Sequence, residues 1–129
     1  MTEPIWLDRA AIMQAHNEVV ALTGGAPGIR DAGLLDSALA RPENAYAYEA
    51  QADIVVLAST YAVGIAKNHP FVDGNKRAAF VGMLIFLGRN GLRLTASQAS
   101  ATATMLSVAA GTTGIGALAA WLRDNTVAR

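Results

Sequence analysis

The sequence predicts an all-α fold, a compact bundle of about six helices, and two observations support this prediction. Apolar residues recur at helical spacing along almost the whole chain, and no stretch alternates between polar and apolar residues as a strand would. The chain has 129 residues, of which 53% are apolar and 16% charged, which is enough for one domain, residues 1–129, with a substantial core.

The first helix is predicted from its two ends. Asp8 is expected to cap it, and the following apolar positions repeat at helical spacing as far as Leu22. Gly24 and Gly25 should end it, because glycine readily takes the left-handed conformation found after helices. The apolar face that we expect to be buried consists of Ile12, Ala15, Val19 and Leu22.

The second helix is expected to be short. Asp31 is placed to cap it, and Pro42 should stop it because proline cannot donate the backbone hydrogen bond of a helix interior. Residues 43–52 then form an irregular connection, held in place by Tyr46 and Tyr48.

Two strongly apolar helices should lie at the centre of the bundle. One spans residues 53 to about 68, and the other spans residues 74 to about 90 and ends at Gly91. The second of these is apolar nearly all round, which is typical of a helix that is surrounded by other helices. Together they predict a hydrophobic hairpin around which the other helices pack.

The C-terminal third should contain two further helices. Thr95 and Gln98 have the spacing of a capping box, which predicts a helix from there to about Ala110. A last helix is expected to begin near Thr112 or Thr113. The residues that it should bury are Ile115, Leu118, Trp121 and Leu122.

The composition argues against several classes of protein. Ten basic and ten acidic residues cancel, so the charge gives no sign of nonspecific binding to nucleic acid or membrane surfaces. Without cysteine there is no disulfide, thiolate metal site or cysteine nucleophile. No signal peptide is visible, and the apolar runs fall short of the ~20 residues that a membrane span needs. We therefore expect a cytoplasmic protein.

The densest polar cluster of the chain lies between the two central helices. Pro70 disfavours helix at His69, so residues 69–73 should form a tight turn at one end of the bundle. Phe71 is the one large apolar side chain in this turn, and we expect it to anchor the turn in the core.

The helix that follows this turn begins with the features of a phosphate-binding site. Its first backbone N–H groups lack partners within the helix, and the helix dipole adds partial positive charge there. Gly74 lets an anion approach this backbone, and Asn75, Lys76 and Arg77 add side-chain donors around it. These four residues are therefore candidate ligands of a nucleotide phosphate.

Asp73 and His69 complete the candidate site. A carboxylate repels phosphate unless a cation lies between them, and Mg²⁺ held by Asp73 would remove this conflict. The imidazole of His69 is suited to accept a proton from a hydroxyl. The set fits the transfer of a phosphoryl or nucleotidyl group from a Mg²⁺-bound nucleotide to a hydroxyl.

Each of these residues also has an ordinary structural explanation when it is taken singly. Asp73 could be a helix cap, and Lys76 and Arg77 could be solvated residues of a first turn. Their joint occurrence with His69 between two apolar helices favours a functional site.

The segment HPFVDGNKR, residues 69–77, closely resembles the signature of the Fic/Doc superfamily, H-x-F-x-[DE]-[AG]-N-[GK]-R. The resemblance extends upstream to GGAPGIRDAGLLDSALARP. The chain is most similar to the Doc subfamily, the death-on-curing toxins of toxin–antitoxin pairs. Lys76 distinguishes it, because Fic enzymes that transfer AMP usually have glycine at this position.

This resemblance implies a Fic/Doc fold and a protein kinase that passes the γ-phosphate of ATP to a threonine of elongation factor Tu, which halts translation. His69 would then be the general base, and Asp73 would hold Mg²⁺. The residues that would contact the nucleotide, by forming an anion hole or binding its phosphates, are Gly74, Asn75, Lys76 and Arg77.

Two further features bear on activity and its control. Pro70 and Gly74 match Fic enzymes rather than the best-known Doc toxin, which leaves transfer of AMP to a target hydroxyl as the alternative. The autoinhibitory motif of many Fic proteins, [ST]-x-x-x-E-[GN], is absent from the sequence. The resemblance therefore implies inhibition by a Phd-like antitoxin, whose disordered tail would fold in a groove of the toxin.

Other features carry less functional information. His16 is expected to be a packed or hydrogen-bonded histidine, since two histidines and no cysteine supply a zinc site poorly. The loop at residues 23–31 should end the first helix and, by the resemblance, border the cleft. Residues 107–125 loosely suggest a helix-turn-helix, but the candidate recognition helix offers only Arg123 as a basic side chain.

Overall fold

The computed structural model describes residues 3–50 and 52–129, and within them it contains the six helices that the periodicity predicts. The helices are α1 (Arg9–Thr23), α2 (Ala32–Tyr48), α3 (Ile54–Asn68), α4 (Asn75–Arg89), α5 (Gln98–Ala109) and α6 (Ile115–Asp124). Two short strands, β1 (Leu92–Leu94) and β2 (Thr126–Ala128), pair in antiparallel register. The all-α prediction is confirmed. The two strands were not predicted, because three residues are too few to show an alternation of polar and apolar residues.

The helices α3 and α4 form the centre of the bundle, as predicted. The helix α3 packs against α2, α4, α5 and α6, while α1 lies on α4. A β-carbon at Gly82 of α4 would lie 2.9 Å from Cδ1 of Ile12 in α1, so the glycine lets this side chain pack closely against α4. No helix in the described parts of the chain is both long and apolar enough to cross a membrane.

Each of the first three helices has an aspartate as its N-terminal cap. Asp8, Asp31 and Asp53 each accept a hydrogen bond from the backbone N–H three residues further on, at 2.8, 2.9 and 3.0 Å. Gly24 ends α1 with φ 74°, as expected. Leu22 is 88% exposed, so the prediction that it is buried is wrong. Its helical spacing was correct, but the last turn of α1 extends past the part of the helix that packs in the core.

The helix α2 continues through Pro42, and the prediction that proline ends it is wrong. Pro42 is buried, and the residues after it remain helical as far as Tyr48. Proline costs an internal hydrogen bond but does not forbid helix when tertiary contacts compensate. Packing of α2 against α3 therefore overrides the local signal.

The two tyrosines after Pro42 have different roles. Tyr46 packs edge-on against Trp6, with ring centroids 5.6 Å apart, and so anchors the end of α2. Tyr48 is 88% exposed and anchors nothing, contrary to expectation. The irregular connection predicted for 43–52 begins only at residue 49, and residue 51 lies outside the described part of the chain.

The predicted capping box is also wrong. Ser97, not Thr95, caps α5 by accepting a hydrogen bond from the N–H of Ser100 at 3.1 Å. Thr95 instead donates its N–H to the carbonyl of Asn125 at 2.7 Å, next to the two-stranded sheet. This contact joins residues far apart in sequence, so the local spacing could not reveal it.

The helix α6 begins at Ile115, slightly later than expected, and it is a core helix. Leu118 and Leu122 are fully buried, whereas Ile115 and Trp121 are only partly buried. Arg123 pairs with Asp53 at 3.0 Å. Because the apolar face of α6 packs in the bundle and its basic side chain is paired, the arrangement is unlike a DNA-recognition helix.

Candidate active site

The polar cluster forms the turn between α3 and α4, as the sequence predicts. His69 caps α3 in a left-handed conformation, with φ 49° and ψ 55°, and it is the one non-glycine residue of the described chain with positive φ. Gly74 precedes α4 with φ 72°, where glycine is favoured. Phe71 is fully buried between them, which confirms its anchoring role.

The side chain of Asn75 holds this turn closed. Its Oδ1 accepts a hydrogen bond from the N–H of Phe71 at 2.9 Å, and its Nδ2 donates to the carbonyl of Phe71 at 3.0 Å. Asn75 is only 9% exposed. The side chain, expected to add a donor around the anion, instead bonds to the backbone of the turn. The anion contact expected of Asn75 would then fall to its first-turn N–H.

His16 of α1 contacts the turn from the core of the bundle. Its Nε2 lies 2.7 Å from the carbonyl oxygen of Asp73, and its ring stacks on Phe71 at a centroid distance of 3.8 Å. Because a carbonyl oxygen can only accept, Nε2 carries the proton. The side chain is fully buried, and its Nδ1 has no hydrogen-bond partner in the described chain. His16 is thus packed and hydrogen-bonded, as expected, but its contact with the candidate site was not foreseen.

Backbone hydrogen bonds join the loop between α1 and α2 to the turn. Ile29 and Phe71 form an isolated antiparallel bridge, and the N–H of Val72 donates to the carbonyl of Gly28 at 3.1 Å. The carbonyl of Pro70 accepts hydrogen bonds from the N–H groups of the two loop residues that follow Ile29, at 2.7 and 3.1 Å. The loop borders the site, in agreement with the expectation.

Arg30 of this loop also contacts the end of α3. Its Nε donates to the carbonyl of His69 at 2.6 Å, and its Nη2 donates to the carbonyl of Asn68 at 2.9 Å. The sequence offered one signal, a basic residue in the upstream segment that resembles the family, but its target could not be inferred.

The carboxylate of Asp73 lies at the edge of the same loop. Its Oδ2 accepts from the N–H of Ala26 at 3.3 Å, and its Oδ1 accepts from the N–H of Gly74 at 2.9 Å. A β-carbon at Gly25 would lie 3.0 Å from Oδ2, so Gly25 makes room for this carboxylate. A carboxylate has about four lone-pair directions, so these two contacts leave it able to bind a cation.

Mg²⁺ fits this donor set. No three histidine or acidic side chains cluster as a metal site within residues 3–50 and 52–129. A metal at Asp73 would therefore have at most two such protein ligands and otherwise oxygen ligands from substrate and water. Mg²⁺ is commonly bound in this way, by one or two carboxylates together with substrate phosphates.

The structure brings all the predicted site residues into one cavity of about 590 Å³. Its walls are formed by the end of α1 and the turn with the start of α4, and they include residues that sequence reasoning did not single out, such as Thr23 and Val72. The predicted residues among its walls are His69, Asp73, Gly74, Asn75, Lys76 and Arg77. His69, Asp73, Lys76 and Arg77 are exposed, so their side chains are accessible to a ligand.

An apolar groove adjoins this cavity. It also measures about 590 Å³, runs between α1, α4 and α5, and shares Thr23, Lys76 and Arg77 with the first cavity. Its apolar wall includes Leu22, Phe80 and Met105. The exposed position of Leu22, which the sequence did not predict, is thus part of a concave apolar surface with basic side chains at one end.

Comparison with known proteins gives three matches. The sequence profile described as the Fic/DOC family matches residues 6–87, which include every residue that lines the first cavity. "Protein kinase doc" from Escherichia phage P1 is 33% identical over 112 residues, covering 87% of this chain and 88% of that protein. "Toxin Doc" from Mycolicibacterium smegmatis (strain ATCC 700084 / mc(2)155) is 40% identical over 97 residues, covering 74% and 71%.

Proposed function

The chain belongs to the Fic/Doc family, in its Doc subfamily, and on this premise we propose that it is a toxin that acts as a protein kinase. The proposed reaction transfers the γ-phosphate of ATP to a threonine hydroxyl of elongation factor Tu and so inhibits translation. One observation carries the proposal: a single cavity gathers a histidine, a carboxylate and the uncapped start of a helix. These are the groups that phosphoryl transfer to a hydroxyl needs.

The proposed site for the nucleotide phosphates is the start of α4. Gly74, unlike the aspartates that begin α1, α2 and α3, provides no side chain to cap the first N–H groups of the helix. Those N–H groups and the helix dipole favour an anion. Lys76 and Arg77 line the same cavity and are exposed, and neither forms an ion pair within residues 3–50 and 52–129, so both can neutralise phosphate charge.

Asp73 would hold Mg²⁺ together with the nucleotide. The cation would supply neutralisation of the charge on the phosphate oxygens. The protein's part is to keep the carboxylate in place, and the N–H groups of Ala26 and Gly74 do this by hydrogen bonding to its two oxygens. This arrangement explains how a carboxylate can stand beside an anion site.

His69 is the proposed general base. It lines the cavity and is exposed, so a target hydroxyl can approach its imidazole. As the hydroxyl oxygen forms its bond to the γ-phosphorus, its proton passes to the imidazole, and the bond between that phosphorus and the bridging oxygen of ADP breaks. His69 then releases the proton to solvent.

Transfer of AMP is the alternative, and its sequence basis was Gly74 and Pro70. Gly74 has a φ of 72°, a conformation that favours glycine whichever phosphate is attacked. Pro70 is buried, and its carbonyl accepts two hydrogen bonds from the loop between α1 and α2. Both residues therefore have a backbone explanation, which leaves Lys76 to favour the kinase.

The groove between α1, α4 and α5 is the proposed site of the antitoxin. An amphipathic segment that folds on binding would place its apolar face against Leu22, Phe80 and Met105. Acidic side chains at one end would meet Lys76 and Arg77, and would thereby block the phosphate site. Both the antitoxin and elongation factor Tu would meet the protein in the cytoplasm.

A transfer assay with elongation factor Tu, Mg²⁺ and ATP tests this function. The ATP is labelled at the γ-phosphate in one reaction and at the α-phosphate in another, and His69→Ala serves as the control variant. Label from the γ-phosphate alone, lost in the variant, is expected. Label from the α-phosphate would instead make the protein an AMP transferase, and no label from either would point to another target or nucleotide.

A further inference from the structure

Arg30 lies 39 positions before His69, yet it hydrogen bonds to the backbone carbonyl groups of His69 and of the residues on either side of it. Its guanidinium donates to the carbonyls of Asn68 and His69, at 2.9 and 2.6 Å, and its own N–H donates to the carbonyl of Pro70 at 2.7 Å. Three consecutive carbonyl oxygens, at the end of α3 and the start of the turn, therefore accept hydrogen bonds from one residue.

The end of α3 needs such a partner. The last carbonyl groups of a helix have no intrahelical donor, and the helix dipole makes that end negative. His69 also has a left-handed backbone, which a side chain with a β-carbon disfavours and which persists only where surrounding contacts hold it. A guanidinium at this position satisfies the carbonyls and complements the dipole.

Within the described residues, the side-chain hydrogen bonds of Arg30 are confined to the end of α3 and the turn. Arg30 is exposed, so it fills no space in the core. Within the described residues it takes part in no ion pair, and the neighbouring carboxylate of Asp31 accepts from the N–H of Leu34 at the start of α2. The hydrogen bonds of its guanidinium go to the backbone at Asn68 and His69.

We propose that Arg30 is the positioning residue of His69, because it holds the backbone of the base in its left-handed conformation and so aims the imidazole into the cavity. The proposal rests on the function proposed above, in which His69 accepts the proton. In this role Arg30 acts through the backbone carbonyls that its guanidinium binds. A methionine of similar length removes the side-chain donors and keeps the backbone N–H, whereas a lysine retains charge but lacks the planar pair of N–H groups.

The conformational part is tested by NMR on protein labelled at histidine. The chain has two histidines, so the ¹³Cα and ¹³Cβ shifts of His69, which report φ and ψ, can be followed with buried His16 as the internal reference. We expect Arg30→Met to move the shifts of His69 away from left-handed values and Arg30→Lys to move them less. Arg41→Met, a change at an exposed arginine of α2, should leave them in place. Unchanged His69 shifts in Arg30→Met would overturn the proposal.

The catalytic part is tested by steady-state kinetics on the same variants. We expect Arg30→Met to lower kcat by about 10- to 100-fold, as for a misplaced catalytic group, with the KM for ATP within about twofold. Partial recovery in Arg30→Lys is expected. Because an unfolded fraction would lower the apparent kcat at unchanged KM, each rate is divided by the folded fraction that urea denaturation gives for that variant. An unchanged kcat contradicts positioning. If the unaltered protein transfers no phosphate, the proposed function fails, and the NMR result still decides whether Arg30 holds His69.

Discussion

The side-chain amide of Asn75 hydrogen bonds to both backbone polar groups of Phe71. Its Oδ1 accepts from the N–H at 2.9 Å, and its Nδ2 donates to the carbonyl at 3.0 Å. The two residues are buried, so no solvent replaces these bonds when they are lost. An amide is the side chain that can both accept and donate here, which explains why asparagine stands at the first residue of α4.

Replacing Asn75 should therefore destabilise the fold. Asn75→Ala leaves a buried N–H and a buried carbonyl unpaired, and we expect the free energy of unfolding to fall by about 2–4 kcal/mol. In Asn75→Asp one carboxylate oxygen can still accept from the N–H, but the other faces the carbonyl oxygen and repels it. The free energy of unfolding should therefore fall in this variant too. Urea denaturation measures both, and unchanged midpoints in the two variants would show that this pair does not hold the turn.

His16 should stabilise the turn through its hydrogen bond to the carbonyl of Asp73. His16→Phe keeps a ring that can stack on Phe71 but removes the donor, which leaves a carbonyl without its partner. We expect a loss of about 1–3 kcal/mol in the free energy of unfolding. Urea denaturation is again the measurement. Equal stability of His16→Phe and the unaltered protein would mean that stacking alone accounts for the histidine.

The adjacent residues Gly24 and Gly25 should respond differently to alanine. At Gly25 the new methyl would lie 3.0 Å from Oδ2 of Asp73, so the carboxylate must move. We expect Gly25→Ala to weaken Mg²⁺-dependent ATP binding about tenfold, a loss of about 1.4 kcal/mol. Its free energy of unfolding should change little, since the displaced group is the end of a side chain.

Gly24→Ala is the matched control for this prediction. Gly24 has φ 74° and nothing within 4 Å of an added β-carbon, so alanine there costs about 1–2 kcal/mol of stability without touching Asp73. Calorimetry with Mg²⁺ and ATP, alongside urea denaturation, separates the two effects. The prediction is wrong if Gly25→Ala binds Mg²⁺ and ATP as well as Gly24→Ala does.

Alkaline pH should destabilise the protein through Tyr61. Burial raises the pKa of Tyr61 from 10.0 to about 12, partly offset by the hydrogen bond that its hydroxyl accepts from the N–H of Leu7 at 3.0 Å. The folded state therefore keeps the proton that the unfolded state releases above pH 10. This contribution to stability is complete below pH 10 and is lost as pH rises to about 12, by about 2–3 kcal/mol in total.

Urea denaturation between pH 9 and pH 12 checks this prediction. Tyr61→Phe is the control, because it removes the titrating hydroxyl and keeps the buried ring. The free energy of unfolding of Tyr61→Phe should fall less steeply between pH 10 and pH 12 than that of the unaltered protein. At pH 9 the variant should be the less stable of the two, because the N–H of Leu7 lacks its acceptor. Identical pH profiles of the two proteins would rule out Tyr61 as the cause.

The sequence by itself determined those features that depend on neighbouring residues. The caps at Asp8 and Asp31 act over three positions, and the tight turn at residues 69–73 follows from Pro70 and the flanking apolar helices. The grouping of all six candidate site residues in one cavity was also predictable, because they lie within one short segment. Local backbone preferences and side-chain spacing are sufficient for such features.

Only the tertiary structure decided the features that join distant segments. Packing against α3 carries α2 through Pro42, and the end of α1 leaves Leu22 in a groove instead of the core. His16 and Arg30 reach the turn from 57 and 39 positions away along the chain. Their side chains act on backbone carbonyls, which every residue possesses, so no pattern of residue types identifies the partner. The partner is fixed only when the helices pack and bring these atoms within hydrogen-bonding distance.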